Sequence, residues 1–248
     1  MRKLGLLVAI FIAAILLALP VTVAAADPTV NITVIGSDGN PLANAEVTIY
    51  DETGDTYEGT TNSSGMVSIE VPSNATYLVV VKDEYYILDT VTVEGDTNKT
   101  VDASAMHYAK IESTPKTADI TIVLLAFEDV DLSMTTNVTV YAPSDLNVTF
   151  PAEIVETPYK YVLEKIEYDG REETEEATVT LDMTEDYLVT AYYTKTFYLA
   201  LEYWVLIILG IIVVVALFVA WTAGAKEARS KIEEWRERNR KFVKKKAM

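Results

Sequence analysis

Alternating apolar and polar positions run through most of the chain between residues 27 and 196, with the side-chain period of two that indicates β-strands. Glycine, proline, asparagine and aspartate interrupt this alternation about every ten residues, where they supply turn chemistry. In the first half, strands are predicted at residues 29–34, 45–50, 66–71 and 77–82, with turns at residues 36–41 and 60–65. Residues 77–82 are apolar at consecutive positions, which predicts a central strand buried on both faces.

The second half continues the same pattern. Residues 105–117 are predicted to form a strand and a connector, and residues 119–127 are apolar enough to form a central strand. Further strands are predicted at residues 137–141, 146–150, 159–168, 177–181 and 187–193. Short strands at this spacing are typical of β-sandwiches. We therefore predict a mainly β protein with two small sandwiches in tandem, at residues 27–104 and 105–196.

A different pattern begins near residue 197. No charged residue lies between Glu202 and Lys226, and residues 203–221 are apolar on every face of a helix. Nineteen helical residues span roughly 28 Å, which matches the hydrocarbon core of a bilayer. The aromatic residues Tyr203, Trp204 and Trp221 flank this stretch, as expected for residues at the two water–lipid interfaces. We predict a transmembrane helix with its aromatic collar at residues 197–222; the alternative is a wholly buried core helix.

The charge distribution predicts how the helix crosses the membrane. Residues 222–248 carry ten Lys or Arg and four Glu, whereas residues 27–203 carry 33 Asp or Glu and eight Lys or Arg. Positively charged flanks stay in the cytoplasm. The expectation is therefore a single-pass cell-membrane protein with its N-terminus outside and a basic cytoplasmic tail at residues 223–248. The acidic ectodomain excludes nucleic acid as a partner.

The N-terminal 26 residues have the features of a secretory signal peptide. Arg2 and Lys3 precede an apolar stretch at residues 4–19, Pro20 ends it, and three alanines at residues 24–26 provide a cleavage site. An uncleaved first anchor is the alternative, since residues 4–26 carry no charge. Either interpretation exports the chain from residue 27 onward.

Past Trp221 the helix is predicted to continue with one apolar stripe between charged faces. Its stripe would lie on the inner leaflet, with five basic residues drawn to anionic lipid. These residues are Arg240, Lys241, Lys244, Lys245 and Lys246. A short coiled coil with Asn239 in its core, or a stop-transfer tail without a partner, would also fit.

Six of the eight asparagines between residues 27 and 203 begin an Asn-x-Ser/Thr sequon. Such sequons are acceptors of N-linked glycans on exported proteins. The predicted sites are Asn31, Asn62, Asn74, Asn98, Asn137 and Asn147. The alternative is that Thr-rich strands produce the motif by composition alone.

The residues for catalysis or metal binding are sparse. The chain has no Cys and one His, which excludes thiol chemistry, disulfides and most zinc or Ser–His–Asp arrangements. His107 is expected to be a surface or packing residue. Calcium binding is an alternative for the acidic residues 51–55 and 172–176, although solvated hairpins explain them better. No catalytic, cofactor-binding or metal-binding residue is predicted, and we do not expect an enzyme.

Two stretches resemble known families. Asp38-Gly39-x-Pro41-Leu42-x-x-Ala45-x-Val47, followed by Thr60-Thr61-Asn62-x-x-Gly65, is similar to the carboxypeptidase regulatory-like domain, which implies a transthyretin-like sandwich of about seven strands over residues 27–104. Related surface domains form Lys–Asn isopeptide bonds from an early Lys. No Lys lies between Asp27 and Val81, so that crosslink is not expected. The resemblance implies a structural or interaction role and no catalytic residue.

The second domain resembles a small immunoglobulin-like repeat of prokaryotic surface proteins. The similarity lies in Tyr159–Tyr168, the Asp169-Gly170 turn and the Leu188-Val189-Thr190-Ala191-Tyr192-Tyr193 strand. That family often has Trp where this chain has Tyr168. With six sequons and no Cys, the whole resembles an archaeal cell-surface protein.

Three functions are open at this stage. The first is a non-catalytic structural or interaction protein, an accessory or scaffold subunit that binds other membrane or surface proteins. The second is a receptor-like module that binds ligand through sandwich loops and signals through a partner bound to the 27-residue tail. The third is an exported hydrolase, which the scarcity of Cys and His disfavours.

Overall fold

The computed structural model describes residues 27–169, 172–174 and 176–246, and the side chains of these residues except 172–174 and 238–246. The predicted signal peptide at residues 1–26 lies outside this part. The first sandwich region contains β1 (Thr29–Ile35), β2 (Glu46–Tyr50), β3 (Thr56–Thr60), β4 (Met66–Glu70), β5 (Thr76–Lys82), β6 (Tyr86–Thr92) and β7 (Thr97–Asp102). A 3-10 turn at Ala103–Ala105 follows.

The remaining strands are β8 (His107–Thr114), β9 (Asp119–Leu124), β10 (Phe127–Thr135), β11 (Val138–Ala142), β12 (Leu146–Thr149), β13 (Glu153–Glu156), β14 (Tyr159–Tyr168), β15 (Glu172–Thr174), β16 (Thr178–Leu181) and β17 (Tyr187–Phe197). One long helix, α1 (Leu201–Lys246), completes the described chain. The predicted mainly β class is confirmed.

The strands form three sheets. Sheet 1 has the order β4-β1-β7, and sheet 2 has the order β10-β9-β12-β16. The ten-stranded central sheet has the order β13-β14-β17-β8-β11-β6-β5-β2-β3, with β15 paired to β14. The predicted central strand at residues 119–127 is confirmed, because β9 lies between β10 and β12.

Sheet 1 packs on one face of the central sheet around the first apolar core. In β1, Val30, Ile32 and Val34 are fully buried while the residues between them are half-buried. They meet Val47 and Ile49 of β2 and the inward residues of β5 and β6. The period-two alternation seen in the sequence thus marks the buried face of each strand.

Strand β5 is buried on both faces, as predicted from its consecutive apolar residues. Tyr77, Val79 and Val81 belong to the first core, whereas Leu78 and Val80 belong to the second core. Sheets 1 and 2 therefore lie on opposite faces of the central sheet, and β5 separates their cores.

One continuous sheet connects the two predicted domains. Strand β6 pairs in parallel with β11, with Tyr86 opposite Val140 and Ile87 opposite Tyr141. Leu88 of β6 also packs in the second core. The boundary at residue 104 remains a prediction, but the strands on either side of it share both a sheet and a core.

The turn at residues 60–65 ends with a glycine for two structural reasons. Gly65 has φ +72°, and a Cβ there would lie 2.6 Å from the Val34 carbonyl oxygen. The Gly65 carbonyl accepts a hydrogen bond from Val34 N at 2.8 Å. Only glycine allows both the positive φ and this close approach to β1.

The helix α1 has 46 residues. Within the described chain it is the one helix long and apolar enough to cross a membrane, over Leu201–Glu237, and none of its most apolar window is buried against the rest of the protein. A wholly buried core helix is therefore excluded. Glu227 and Lys231, four residues apart on this helix, form an ion pair at 2.7 Å. The amphipathic, cytoplasmic character of the tail remains a prediction.

Candidate binding surface

The central sheet extends beyond sheet 1, and none of the described strands packs over the continuation of the face that sheet 1 covers. Sheet 1 packs over β2, β5 and β6, and the same face continues across β11, β8, β17 and β14. On β8, Ala109 and Ile111 point into the second core, whereas the alternate residues are exposed or half-buried. The strand registers bring ten side chains together on this face. We call them the open face: Tyr108, Lys110, Glu112, Thr139, Tyr141, Lys165, Glu167, Leu188, Thr190 and Tyr192.

Tyrosines form the half of the open face that borders sheet 1. The Tyr108 ring lies 5.7 Å from the Tyr141 ring, which lies 5.0 Å from the Tyr85 ring at the border with sheet 1. The Tyr85 hydroxyl accepts a hydrogen bond from Ser37 N at 3.0 Å, so the turn at residues 36–41 supports the cluster. Rigid tyrosines beside polar groups are common in protein interfaces, because they add contact area with little loss of side-chain entropy.

Paired charges form the other half of the open face, away from sheet 1. Lys110 and Glu112 approach to 2.7 Å, and Lys165 and Glu167 approach to 2.5 Å. The hydrogen bond and charge of Glu112 raise the pKa of Lys110. The Lys165 ammonium also lies 5.2 Å from the centre of the Tyr192 ring. The open face is electrically balanced within a strongly acidic ectodomain, which suits contact with another protein surface.

Leu188 lies between these two halves. Its side chain is 46 % exposed, on a strand whose neighbouring Val189 is fully buried. It is opposite Lys110 in the parallel ladder of β17 and β8. An exposed leucine flanked by tyrosines and ion pairs has the composition of an interface centre with a polar rim.

The acidic residues 51–55 considered for calcium binding form hydrogen bonds within their own loop, whereas the side chains of residues 172–175 lie outside the described part. An Asp51 side-chain oxygen accepts bonds from Thr53 N at 2.8 Å, Thr53 Oγ1 at 2.7 Å and Asp55 N at 3.0 Å. The Thr53 bond is the main reason that the pKa of Asp51 is lowered. Among the described residues no three His, Asp or Glu side chains converge as metal ligands.

His107 lies at the surface, where the sequence places it. Its Nδ1 is 3.1 Å from Asp186 Oδ1, and both side chains are about half exposed. The same carboxylate oxygen accepts a bond from Tyr108 N at 3.2 Å. The pair lies at the end of the β8–β17 ladder. No nucleophilic side chain is among its described contacts.

The six sequon asparagines are all exposed or half-buried. Asn62, Asn74, Asn98 and Asn137 are exposed, whereas Asn31 and Asn147 are half-buried on outward sheet faces. Asn31 is directly opposite Asn98 in the β1–β7 ladder, so the two side chains share the space above sheet 1. None of the six asparagines is among the open-face residues, but the Asn137 sequon ends at Thr139 of the open face. Glycosylation itself remains a prediction.

The predicted membrane-interface residues lie on α1. Tyr203, Trp204 and Trp221 are 46 %, 49 % and 69 % exposed, so their rings are free to contact lipid. The predicted inner-leaflet residues Arg240, Lys241 and Lys244–Lys246 belong to the same helix, but their side chains lie outside the described part. Both sets of contacts remain predictions.

The sequence did not indicate the open face. It depends on parallel pairing between β8 and β17. Seventy-two residues lie between the end of β8 and the start of β17. The one available signal was the repeated Tyr and Lys at alternate positions of β8, β14 and β17.

No protein-family model matches this chain, and no curated protein matches it. Among solved structures, similarity is found to the Bacillus anthracis TIE protein, at 14 % identity with a TM-score of 0.27 over 68 % of this chain and 34 % of that one. The chain thus spans about a third of the TIE protein.

Two further solved structures show similarity at the same level. Shaft pilin SpaA of Lactobacillus rhamnosus GG has 11 % identity and a TM-score of 0.24, over 68 % of this chain and 98 % of the pilin. Fervidolysin of Fervidobacterium pennivorans, a keratinolytic enzyme related to subtilisin, has 12 % identity and a TM-score of 0.27, over 72 % of this chain and 31 % of fervidolysin. Scores this low do not establish a shared fold, and no function is transferred from them.

Proposed function

We propose that this chain is a non-catalytic structural or interaction protein of the cell surface, an accessory or scaffold subunit held by a single membrane-spanning helix. The helix α1, which is exposed and carries no charged residue between Glu202 and Lys226, supports this proposal. Its apolar window has no partner within the described structure, and so much exposed apolar surface is unfavourable in water. A lipid bilayer provides the environment that such a helix requires.

The proposed orientation puts the β-sheets outside and the basic end of α1 in the cytoplasm. The charge asymmetry across the helix supports it, with 33 acidic and eight basic residues between residues 27 and 203 and ten basic and four acidic residues after residue 221. The proposed glycan sites and the predicted signal peptide favour the same orientation. That the chain is archaeal, and that its first sandwich is a carboxypeptidase regulatory-like domain, are also proposals.

The open face is the surface that we assign to partner proteins. It combines tyrosines in contact with one another, an exposed leucine and balanced charges, and one sequon reaches it, because Thr139 of the Asn137 sequon lies opposite Lys110. A receptor-like role, with the same surface binding a ligand and a cytoplasmic partner on the tail, is the alternative. The tyrosine cluster at the border with sheet 1 is the observation that favours it.

A single charge tests the role of the open face. In Leu188→Arg, a guanidinium lies in the middle of the surface, and we expect the native complex in mild detergent to dissociate at least ten-fold more readily, since buried interface charges without partners are strongly unfavourable. Blue-native electrophoresis of solubilised membranes measures the ratio of complex to free chain.

Met66→Arg is the matched control. Met66 is 48 % exposed on β4 of sheet 1, so the new charge has the same sign and similar exposure at a site away from the open face. The complex should persist in this variant. An unchanged complex in Leu188→Arg, with circular dichroism equal to the parent, would show that partners bind elsewhere.

A further inference from the structure

The end of the central sheet nearest to α1 continues past the end of β8, with Tyr161 still buried in the second core. Pairing between β17 and β8 ends at Tyr192 and Thr114. Beyond that point β17 pairs only with β14, from Thr194 opposite Val162 to Phe197 opposite Tyr159, and β14 pairs with β13. We call this three-stranded extension, residues 153–162 and 194–198, the arm.

The arm is connected to the membrane-spanning helix by a very short link. Strand β17 ends at Phe197 and α1 begins at Leu201, so three residues separate them. Even a fully extended link would place the arm within about 14 Å of the helix start. The link is also restrained, since Tyr198 N donates to the Pro158 carbonyl at 2.8 Å. An ectodomain anchored by α1 therefore holds its arm beside the bilayer.

The arm exposes apolar side chains on both of its faces. Phe197 is 69 % exposed and Val155 is 52 % exposed, while Tyr159 and Tyr198 are each 38 % exposed. Phe197 and Tyr159 contact each other edge to face with centroids 6.3 Å apart. Exposed phenylalanine and tyrosine are unfavourable in bulk water and favourable at the headgroup layer of a membrane.

Two lysines stack on these tyrosines. The Lys195 ammonium lies 3.7 Å from the centre of the Tyr159 ring, and the Lys160 ammonium lies 5.8 Å from that of Tyr198. Lys160 also pairs with Glu153. Only eight basic residues occur between residues 27 and 203, so two in the arm are a local enrichment. Ammonium groups beside interfacial aromatics are placed to meet lipid phosphates.

We propose that the arm lies in the headgroup layer of the leaflet that α1 enters, with the rings of Tyr159, Phe197 and Tyr198 at the interface and the ammonium groups of Lys160 and Lys195 near lipid phosphates. The occupant of this surface is the lipid bilayer. The second contact beside α1 fixes the tilt of the ectodomain. The inference rests on the proposed membrane anchor.

Spin labels test the arm in the full chain, which has no native Cys and therefore allows single-site labelling. A nitroxide is attached to Phe197→Cys, Leu188→Cys or Ile212→Cys in full-length protein reconstituted in phosphatidylcholine–phosphatidylglycerol vesicles. Its collisions with oxygen, which partitions into lipid, and with a water-soluble nickel chelate report its depth. Position 188 is nine residues earlier in the same strand, roughly 30 Å away along β17.

The expected result is an interfacial depth at position 197, water at position 188 and hydrocarbon at position 212. Water accessibility at position 197 equal to that at position 188, with position 212 in hydrocarbon, would overturn the arm proposal and leave the anchor standing. Water at position 212 would overturn the anchor itself. Protection of position 197 from both reagents, with spin–spin broadening, would assign the arm to a second copy of the chain and also contradict the proposal.

A second measurement uses energy transfer and places its label outside the arm. The reference protein therefore keeps all native arm residues. A donor fluorophore on Glu52→Cys, in an exposed turn of the first sandwich, transfers energy to acceptor-labelled headgroups. The double variant Tyr159→Ser/Phe197→Ser should broaden the single-molecule distribution of transfer efficiencies roughly two-fold, because the tilt is no longer fixed. An identical distribution in folded parent and variant would contradict the proposed contact.

Discussion

A fragment of residues 27–104 is expected to aggregate, whereas residues 27–200 form a soluble ectodomain. The shorter fragment loses β8–β17 and therefore exposes Leu78, Val80 and Leu88, which are at most 6 % exposed in the intact protein. Each such side chain contributes about 1.5–3 kcal/mol by its burial. The summed loss is comparable to the whole stability of a small domain. Size-exclusion chromatography and thermal unfolding of the two fragments measure the effect.

A repaired fragment is the control for this expectation. Leu78→Thr, Val80→Thr and Leu88→Thr together make the exposed face polar while keeping strand-forming residues, so solubility of the fragment should increase. The first core, on the other face of β5, is unaffected by these changes. If the unmodified 27–104 fragment unfolds cooperatively at the same temperature as residues 27–200, the two sandwiches are independent and the shared core is unimportant.

Lys99→Met is expected to destabilise the ectodomain by about 2–4 kcal/mol. Lys99 Nζ lies 2.8 Å from Asp89 Oδ2, across the gap between β7 of sheet 1 and β6 of the central sheet. Asp89 is only 6 % exposed, and its other oxygen accepts a bond from Thr90 N at 2.7 Å. Removal of the ammonium leaves a buried carboxylate without its counter-charge. Urea unfolding of residues 27–200 measures the loss.

Two variants separate burial from charge. The double variant Asp89→Leu/Lys99→Met removes both charges and should recover most of the lost stability, because no unpaired charge remains. Lys110→Met removes one partner of the exposed Lys110–Glu112 pair and should cost much less stability than Lys99→Met, because water screens exposed ion pairs. Equal losses for Lys99→Met and Lys110→Met would show that the Asp89–Lys99 pair is effectively solvated.

Local patterns predicted much of the secondary structure. The consecutive apolar residues of β5 indicated burial on two faces, and the structure shows two cores meeting there. The stretches at residues 36–41 and 60–65 form the predicted turns, and Gly39 and Gly65 have positive φ. These features depend on neighbours along the chain, so they are visible in the sequence.

The arrangement of the sheets could not be predicted in the same way. The strand and connector predicted at residues 105–117 are confirmed by β8 and the link to β9, but the sequence does not show that β8 lies between β11 and β17. The strands predicted at residues 137–141 and 146–150 are close in sequence, but β11 and β12 belong to different sheets. The alternation of a strand indicates which side chains share a face, and it does not identify the neighbouring strand. The open face and the arm both arise from such long-range pairing.

Cysteine labelling in intact cells tests the central claim most directly, namely that one helix separates an external β ectodomain from an internal basic segment. Glu52→Cys reports on the first sandwich and Ser230→Cys on α1 beyond the apolar stretch; both side chains are exposed. A membrane-impermeant maleimide should label position 52 in intact cells and position 230 only after lysis. Labelling of position 230 but not position 52 in intact cells, or of both, would contradict the proposed topology.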